Sequence, residues 1–166
     1  YRLLREWAEQ NPGYRVLIKP HPRSQVSFWR QAAAELPSIE VLPSTCSLAS
    51  ALEMASLVVN IMSNAVIEAA LAQRPVIYVN SSGEREIFFQ EQFLGPCVVS
   101  IADLQQRIVQ IEAAYAQAVD NSVRFAEFHL AHGCQGLDCC VETLELLLVG
   151  KQPRCASVIL QPAGMP

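Results

Sequence analysis

Two short runs of this sequence are apolar at almost every position: residues 57–61 read LVVNI and residues 75–79 read PVIYV. A strand with one face in water alternates apolar and polar residues, whereas a strand covered on both faces does not. The first run is followed by an alanine-rich segment, residues 64–73, which is typical of a helix. This combination predicts a parallel sheet with helices packed on both of its faces.

The rest of the amino-terminal part repeats this alternation of strand and helix. Further strands are predicted at residues 14–19 (YRVLIK), 39–42 and 96–100, and further helices at residues 1–10, 25–36, 47–55 and 84–92. Ser47 stands where a serine N-cap would begin its helix. Strands that alternate with helices predict a doubly wound, Rossmann-like α/β domain.

Only helices are predicted after Ser100. A long amphipathic helix is expected over residues 102–119, because apolar side chains recur there at helical spacing: Leu104, Ile108, Ile111 and Tyr115. Two more helices follow at residues 123–130 and 137–149. Residues 151–166 contain prolines and show no periodicity. We therefore predict one domain over residues 1–150 and an irregular tail over residues 151–166.

The charge of the sequence weighs against a non-specific nucleic-acid-binding protein, and its hydropathy weighs against a membrane-spanning protein. The net charge is −4 and the sequence pI is about 5.4, whereas non-specific binding to nucleic acid needs a basic surface. No apolar run reaches the ~18–20 residues that span a bilayer, and the amino end lacks the apolar segment of a secretory signal. We expect a cytoplasmic domain that binds no nucleic acid.

The cysteines raise the question of a metal site. Cys46 and Cys97 lie in apolar or turn surroundings, where a free thiol behaves as a small hydrophobic group. Zinc ligands could come from six residues near the carboxyl end: His129, His132, Cys134, Cys139, Cys140 and Cys155. Because no C-x2-C pair is present, we expect reduced thiols and no metal, with a zinc site as the alternative.

Polar residues gather where three predicted strands end, which is where ligands bind in open α/β sheets. They are Lys19, His21 and Arg23 after the first strand, Ser63 and Asn64 after the third, and residues 80–86 after the fourth. Free backbone N–H groups at a helix start, as at Ser63, favour a phosphate. Simpler roles stay open: Lys19 as a solvated strand end, Ser63 as an N-cap, and His21 as a residue that ties down its own turn.

Several nucleotide-binding and hydrolase motifs are absent from the sequence. It contains no G-x-G-x-x-G and no Walker A lysine loop, which weighs against a dinucleotide-binding Rossmann protein and a P-loop NTPase. It also lacks G-x-S-x-G, which weighs against an α/β-hydrolase.

Three segments carry a resemblance to a known superfamily. They are IKPHPR at residues 18–23, VVNIMSNAVIEAA at residues 58–70 and RPVIY at residues 74–78. From Tyr14 to Gly95 the chain resembles the C-terminal domain of GT-B glycosyltransferases. The most similar branch has an HP motif and a serine motif. It includes capsule-polysaccharide, sialyl- and Kdo-transferase-like proteins, glycerophosphotransferases and the related UDP-GlcNAc 2-epimerases.

This resemblance implies a nucleotide-sugar or CDP-alcohol donor, linked to UDP, CMP or CDP, that binds at the strand ends. His21 would contact the donor phosphate, and it is the one candidate for a catalytic residue. Ser63 would hold a phosphate oxygen together with the N–H groups of Asn64 and Ala65, and Glu68 would bond the ribose hydroxyls. The family requires no metal or other cofactor, because basic groups such as Lys19 and Arg23 neutralise the leaving phosphate.

The loop after the fourth strand would face the sugar, through Glu84 or Glu86. It reads NSSGERE at residues 80–86, whereas epimerases carry a sequence similar to TTERPE at this position. Asn64 and Ala65 also replace the paired glycines that epimerases carry after the serine. An epimerase fragment is therefore kept as an alternative.

The resemblance also implies a larger enzyme. An inverting GT-B enzyme takes its catalytic base from an N-terminal domain that this sequence does not contain, so we expect the chain alone to be inactive. The full-length enzyme would act in cell-surface polysaccharide synthesis, with peripheral membrane association. In a strand order of 3-2-1-4-5-6, residues 14–19 would form the second strand and residues 57–61 the fourth, with an absent first strand between them. A second alternative is a non-catalytic interaction module that keeps the fold.

Overall fold

The structure is a computed structural model that describes residues 1–80, 83, 85–130 and 135–151. In chain order, its elements are α1 (Arg2–Gln10), β1 (Val16–Ile18), α2 (Val26–Ala33), β2 (Ile39–Val41), α3 (Leu48–Glu53), β3 (Val58–Asn60), α4 (Ala65–Leu71), β4 (Val76–Tyr78), α5 (Gln90–Leu94), α6 (Ile101–Ala113), α7 (Tyr115–His129) and α8 (Gly136–Leu148). The chain is therefore mixed α/β. The predicted N-cap is confirmed, because the Ser47 hydroxyl accepts a hydrogen bond from the Ser50 N–H.

The four strands form two parallel pairs. β1 pairs with β2, with Val16 opposite Ile39, and β3 pairs with β4, with Val58 opposite Val76. Each pair is a two-stranded sheet of its own. The predicted parallel pairing is thus present within each pair, and in the described part of the chain no ladder joins one pair to the other.

Two hydrophobic clusters lie against the strands. Cluster 1 is formed by α1, α2, α6 and strand residues: Trp7, Ala8, Ala33, Ile39, Ile77, Val79, Val98, Leu104, Ile108 and Ile111. Cluster 2 is formed mainly by α3, α4, α5 and α7: Leu52, Val66, Ala69, Ala70, Val76, Leu94, Phe125 and Ala126. Val59 and Ile77 pack in cluster 1, whereas their neighbours Val58 and Val76 pack in cluster 2. The β3–β4 pair is therefore covered on both faces.

The β1–β2 pair differs, because only one of its faces packs into a cluster. Val16 and Ile18 pack against cluster 1. Leu17 alternates with them and therefore points to the other face. Its register partner is Glu40, which is exposed and forms an ion pair with Arg15. This second face is consequently polar at its centre.

Helix α1 and the segment that follows it are joined to α6 by hydrogen bonds between residues far apart in sequence. The Trp7 Nε1–H donates to Gln105 Oε1 at 2.8 Å, across a sequence separation of 98 residues. The Tyr14 hydroxyl contacts Glu112 Oε1 at 2.8 Å, at the same separation of 98. These bonds fix the amino-terminal helix on cluster 1.

The single long helix predicted over residues 102–119 is wrong. The chain breaks at Ala114, where φ is −136° and ψ is 48°, and α7 then continues through the separately predicted helix at 123–130. The break has a physical reason, because α6 packs in cluster 1, whereas α7 places Phe125 and Ala126 in cluster 2 and, among its described residues, only Ala118 against cluster 1. Tyr115, expected on the apolar stripe, is 37% exposed, and its hydroxyl donates to the Ser56 carbonyl at 2.6 Å.

The predicted helix over residues 84–92 is also wrong in extent, because α5 begins only at Gln90. The residue before it, Phe89, has a left-handed backbone with φ 55°. The Glu86 carboxylate accepts a bond from the Phe88 N–H at 2.6 Å, which holds the preceding residues in a turn. Glu84 lies outside the described residues.

The strand predicted over residues 96–100 is reduced to one parallel bridge between Val79 and Val98. Val98 faces β4, so the next backbone groups that could extend the ladder belong to residues 96 and 100. Pro96 has no N–H to donate, and the Ser100 N–H donates to Asp103 Oδ2 at 3.0 Å.

The last predicted helix, residues 137–149, is confirmed to within one residue as α8. Of the predicted tail, residues 152–166 lie outside the described residues. None of the described helices combines the length and the apolar character that crossing a bilayer demands.

Candidate functional site

The carboxyl end of β3 carries a buried polar group, Asn60, which is 5% exposed. Its amide Nδ2 donates to Gln90 Oε1 at 2.9 Å, and Gln90 is fully buried. The Gln90 Nε2 donates in turn to the Ile61 carbonyl at 3.1 Å. This network attaches the start of α5 to the end of β3.

Glu86 extends the same network. Its Oε1 accepts from the Phe88 N–H at 2.6 Å and lies 3.4 Å from Gln90 Nε2. The structure therefore brings one of the predicted sugar-side residues to the edge at which β3 ends. Its carboxylate is already engaged with the protein's own backbone.

The loop after β4 is held by Asn80. Its Nδ2 donates to the Tyr78 hydroxyl at 2.9 Å, and its Oδ1 accepts from the Gly83 N–H at 3.1 Å. Burial raises the pKa of Tyr78, so the phenol stays protonated at neutral pH. Tyr78 therefore supports the loop as a neutral group.

Ser63 and Asn64 form the turn between β3 and α4, and both are exposed. The Ser63 hydroxyl accepts from the Ala65 N–H at 3.2 Å, and Asn64 makes no side-chain cap. Glu68 stands in the first turn of α4 and is exposed. The Ser63 hydroxyl therefore binds a backbone N–H at the start of α4, as serine commonly does at the start of a helix.

The turn after β1 contains Lys19, His21 and Arg23. His21 Nδ1 accepts from the Arg23 N–H at 3.1 Å, and the His21 carbonyl accepts from the Ser24 N–H at 2.8 Å. The neutral imidazole then carries its proton on Nε2. His21 and Arg23 are exposed, and the half-buried Lys19 donates from Nζ to the Pro20 carbonyl at 3.3 Å.

These predicted residues fall into two groups that the described contacts do not join. Lys19, His21 and Arg23 follow β1, whereas Ser63, Asn64, Glu68 and Glu86 lie around the ends of β3 and β4. Among the described residues, no hydrogen bond or ion pair connects one group with the other. The two groups of residues follow different strand pairs, β1–β2 and β3–β4, and no described ladder joins these pairs.

Four of the cysteines lie in the described part of the chain. Burial raises the pKa of Cys97, which keeps it protonated. Cys46 and Cys97 are half-buried and free. On α8, Cys139 is half-buried, and Cys140 is exposed and free. Cys134, Cys155 and His132 lie outside the described residues.

Sequence reasoning missed the two residues that organise this edge, Asn60 and Gln90. Asn60 is the one polar residue in the run LVVNI, and a lone amide within a buried strand needs a partner. That signal was available. Gln90 carried no comparable signal, because it was expected inside the helix predicted over residues 84–92.

Comparison with known protein families, with curated proteins and with solved structures finds no match to this chain.

Proposed function

We propose that this chain is the donor-binding half of a glycosyltransferase or glycerophosphotransferase, built on a doubly wound sheet. The observation that carries the proposal is the pair of exposed polar turns, one after β1 and one after β3, each directly following a parallel strand. Ligands of open α/β sheets bind at such strand ends. The resemblance to GT-B enzymes rests on these same turns.

Charge supports a phosphate ligand at the turn after β1. Lys19 and Arg23 form no ion pair with any described residue, although the chain as a whole carries a net charge of −4. His21 adds the Nε2–H as a donor beside them. A donor phosphate would satisfy all three groups.

The turn after β3 would hold a second part of the donor. Ser63 would exchange its bond with the Ala65 N–H for a phosphate oxygen, and the N–H groups of Asn64 and Ala65 would then face that oxygen. Glu68 would accept from the ribose hydroxyls. Glu86 would face the sugar from the loop fixed by Gln90. Glu84 would act from the same loop.

The remainder of the enzyme belongs to this proposal as well. A further domain of the same protein would supply the catalytic base and the acceptor site, and the full-length enzyme would associate peripherally with a membrane. The chain's own contribution is to bind and orient the donor, with no cofactor.

One observation favours a second candidate, a non-catalytic module that keeps the fold. His21 Nδ1 and the Ser63 hydroxyl are both used by their own turns. A chain that has lost its ligand would keep these bonds, because they stabilise the turns themselves.

Calorimetric titration of the chain with UDP, CMP, CDP and GDP separates the two candidates. The donor-binding proposal expects heat with at least one nucleotide. In that case Ser63→Ala should weaken binding by about 1–2 kcal/mol, the cost of losing a hydrogen bond to a charged group. Ser47→Ala is the matched control, since it removes a serine cap outside the predicted site. No heat with any of the four nucleotides would overturn the proposal and leave the module.

His21 gives a second measurement of the same binding. His21→Ala should lower the affinity, because it removes the Nε2–H donor that would bond the phosphate. His129→Ala is the control, since His129 Nε2 lies 2.7 Å from the Phe88 carbonyl, outside the predicted site. Equal affinities of wild type and His21→Ala would exclude a contact between His21 and the nucleotide.

A further inference from the structure

Helix α8 presents a stripe of apolar side chains to solvent. The stripe consists of four residues that recur at spacings of 4, 3 and 4 and therefore share one side of the helix: Leu137, Val141, Leu144 and Leu148. We call them the outer stripe. All four are exposed, and Leu137 and Leu148 at its two ends are 75% and 86% exposed. Single exposed leucines are ordinary, whereas a contiguous apolar stripe marks an interaction site.

The half-buried residues of α8 lie on a different side of the helix. They are Gly136, Cys139, Thr143 and Leu146. Neither of the two clusters of described residues includes a side chain of α8, and no residue of this helix is fully buried. The outer stripe is therefore not the side on which α8 rests against the chain. Its heptad spacing is the one by which a helix packs along a second helix.

Three carboxylates flank the outer stripe. Asp138, Glu142 and Glu145 each follow a stripe residue by one position, so they lie along the same flank. None of them forms an ion pair with a described residue, and α8 contains no lysine or arginine. Glu145 lies in the last turn of α8, where a negative charge is unfavourable for the helix itself. This flank therefore favours a partner that carries positive charge.

We propose that the outer stripe docks an amphipathic helix of a partner protein. The apolar heptad positions of that helix would contact the stripe, and its lysine or arginine residues would face Asp138, Glu142 and Glu145. This proposal concerns α8 alone and does not depend on donor binding.

A second copy of this chain fits the outer stripe less well. In an antiparallel pair of α8 helices, the acidic flank of one would face the acidic flank of the other, which is destabilising. In a parallel pair, each acidic flank would face Cys140 and Leu147 on the opposite flank. Neither arrangement gives the carboxylates a cation. An anionic lipid surface would be repelled by the same charges.

Two synthetic peptides test the charge preference. Both carry leucine at the apolar positions of about four heptads, and the flanking positions are lysine in one peptide and glutamate in the other. Like charges on these flanks keep each peptide from pairing with itself. The chain should bind the lysine peptide at least about tenfold more tightly than the glutamate peptide, measured by fluorescence anisotropy. This preference should shrink as NaCl is raised from about 0.05 to about 0.5 M.

A single substitution locates the binding on the outer stripe. Leu144→Ser should weaken binding of the lysine peptide at least about tenfold, because one leucine side chain is no longer buried in the complex. Val109→Ser is the matched control, since Val109 is an exposed apolar residue of α6, and it should bind as wild type does. Both positions are exposed, so thermal melting should show that both variants fold.

Charge reversal tests the acidic flank. A variant with Asp138→Lys, Glu142→Lys and Glu145→Lys together should prefer the glutamate peptide, because its flank is then basic. Glu53→Lys, an exposed residue at the end of α3, should keep the wild-type preference.

Several results would overturn the proposal. The lysine peptide could bind no more tightly than the glutamate peptide, or Leu144→Ser could bind it as wild type does. Sedimentation could show a dimer that Leu144→Ser dissociates, which would make a second copy the occupant. The peptide could bind only after residues 152–166 are removed, which would assign the stripe to the chain's own carboxyl end. Binding of the chain to anionic vesicles that Leu144→Ser abolishes would assign it to a lipid surface.

Discussion

The two strand pairs of this molecule have the same parallel geometry and different surroundings. β3 and β4 lie between clusters 1 and 2, and every residue of β4 is buried. β1 and β2 contact cluster 1 alone, and every residue of β1 is half-buried. The sequences differ in part: VVN and VIY are nearly continuous and IEV alternates, whereas VLI of β1 is continuous but lies between the charged residues Arg15 and Lys19.

This difference shows that alternation of apolar and polar residues indicates whether both faces of a strand are covered. It does not indicate whether the strand is parallel or antiparallel to its neighbour. A parallel strand reads as continuous only where helices cover both of its faces. At β1 and β2 the second face carries Arg15, Leu17 and Glu40, so the polar residues lie on the face that packs in neither cluster of the described residues. The stability of the two pairs should differ accordingly.

The largest expected effect concerns Phe125, which is fully buried and lies in cluster 2. Phe125→Ala should lower the free energy of unfolding by about 3–5 kcal/mol, because it removes a large side chain and leaves a cavity. Leu17→Ala, on the uncovered face of β1, should cost less than half of that. Urea denaturation of both variants measures the comparison, and equal losses would show that β1 is covered on both faces as well.

The second effect concerns the buried amide pair at the end of β3. Asn60→Ala should cost about 1–3 kcal/mol, since it leaves the buried Gln90 Oε1 without its donor. A double-mutant cycle with Gln90→Ala should show that the second change adds little once the first is made. Additive losses would contradict a direct coupling of the two side chains.

The third effect concerns the start of α6, the helix that covers both pairs through cluster 1. Ser100 and Asp103 form a capping box, in which the Ser100 hydroxyl accepts from the Asp103 N–H at 3.1 Å. Ser100→Ala should therefore cost about 1 kcal/mol. Thermal melting measures the loss, and Ser50→Ala, whose hydroxyl caps no helix, should cost less.

The same capping box predicts a pH dependence. Hydrogen bonds from Ser100 and from the Val99 N–H lower the pKa of Asp103 below its ordinary value of 3.8. A carboxyl with a lowered folded-state pKa stabilises the fold above its ordinary pKa, and this contribution is lost as the pH falls through the folded value. Asp103→Asn should therefore lose less stability than wild type between pH 5 and pH 2. Parallel acid curves for the two proteins would contradict this account.

The smallest effect is expected on the uncovered face of the first pair. Arg15 and Glu40 form an ion pair whose side chains are 64% and 48% exposed. Arg15→Ala should change stability by about 0–1 kcal/mol, because water screens the pair. A loss as large as that of Asn60→Ala, measured by the same denaturation, would mean that this face is buried by something else.

The sequence was sufficient to predict the order of elements through β4 and the parallel pairing within each pair. Those predictions rest on local signals: apolar runs, the alanine-rich segment over residues 64–73 and the serine cap at Ser47. The capping box at Ser100 was not anticipated, although the spacing of Ser100 and Asp103 would have indicated it.

The wrong predictions come from tertiary contacts that no local pattern encodes. The apolar stripe of residues 102–119 continues past Ala114, yet the helix that follows places its buried apolar residues Phe125 and Ala126 in cluster 2. The acidic residues of segment 84–92 favour a helix, but Glu86 binds the Phe88 N–H and delays the start of α5 to Gln90.

The candidate site was predictable only as a set of residues. Lys19, His21, Arg23, Ser63, Asn64 and Glu68 were selected because they follow apolar strands. Their distances from one another depend on how β1 and β3 are placed relative to each other. The sequence of neither strand indicates that placement. Asn60 and Gln90, which organise the carboxyl end of β3, are in contact although 30 residues separate them in the sequence.

The bonds between α1 and α6 also bear on how the chain is made. Trp7 and its partner Gln105 are separated by 98 residues, so α1 leaves the ribosome before α6 and must wait for it. At a synthesis rate of about 5–20 residues per second, that wait lasts roughly 5–20 s. During this interval the apolar side of α1, with Leu3, Leu4 and Trp7, lacks the surface on which it finally rests. The nascent chain therefore presents a hydrophobic segment to chaperones well before its own core can receive it.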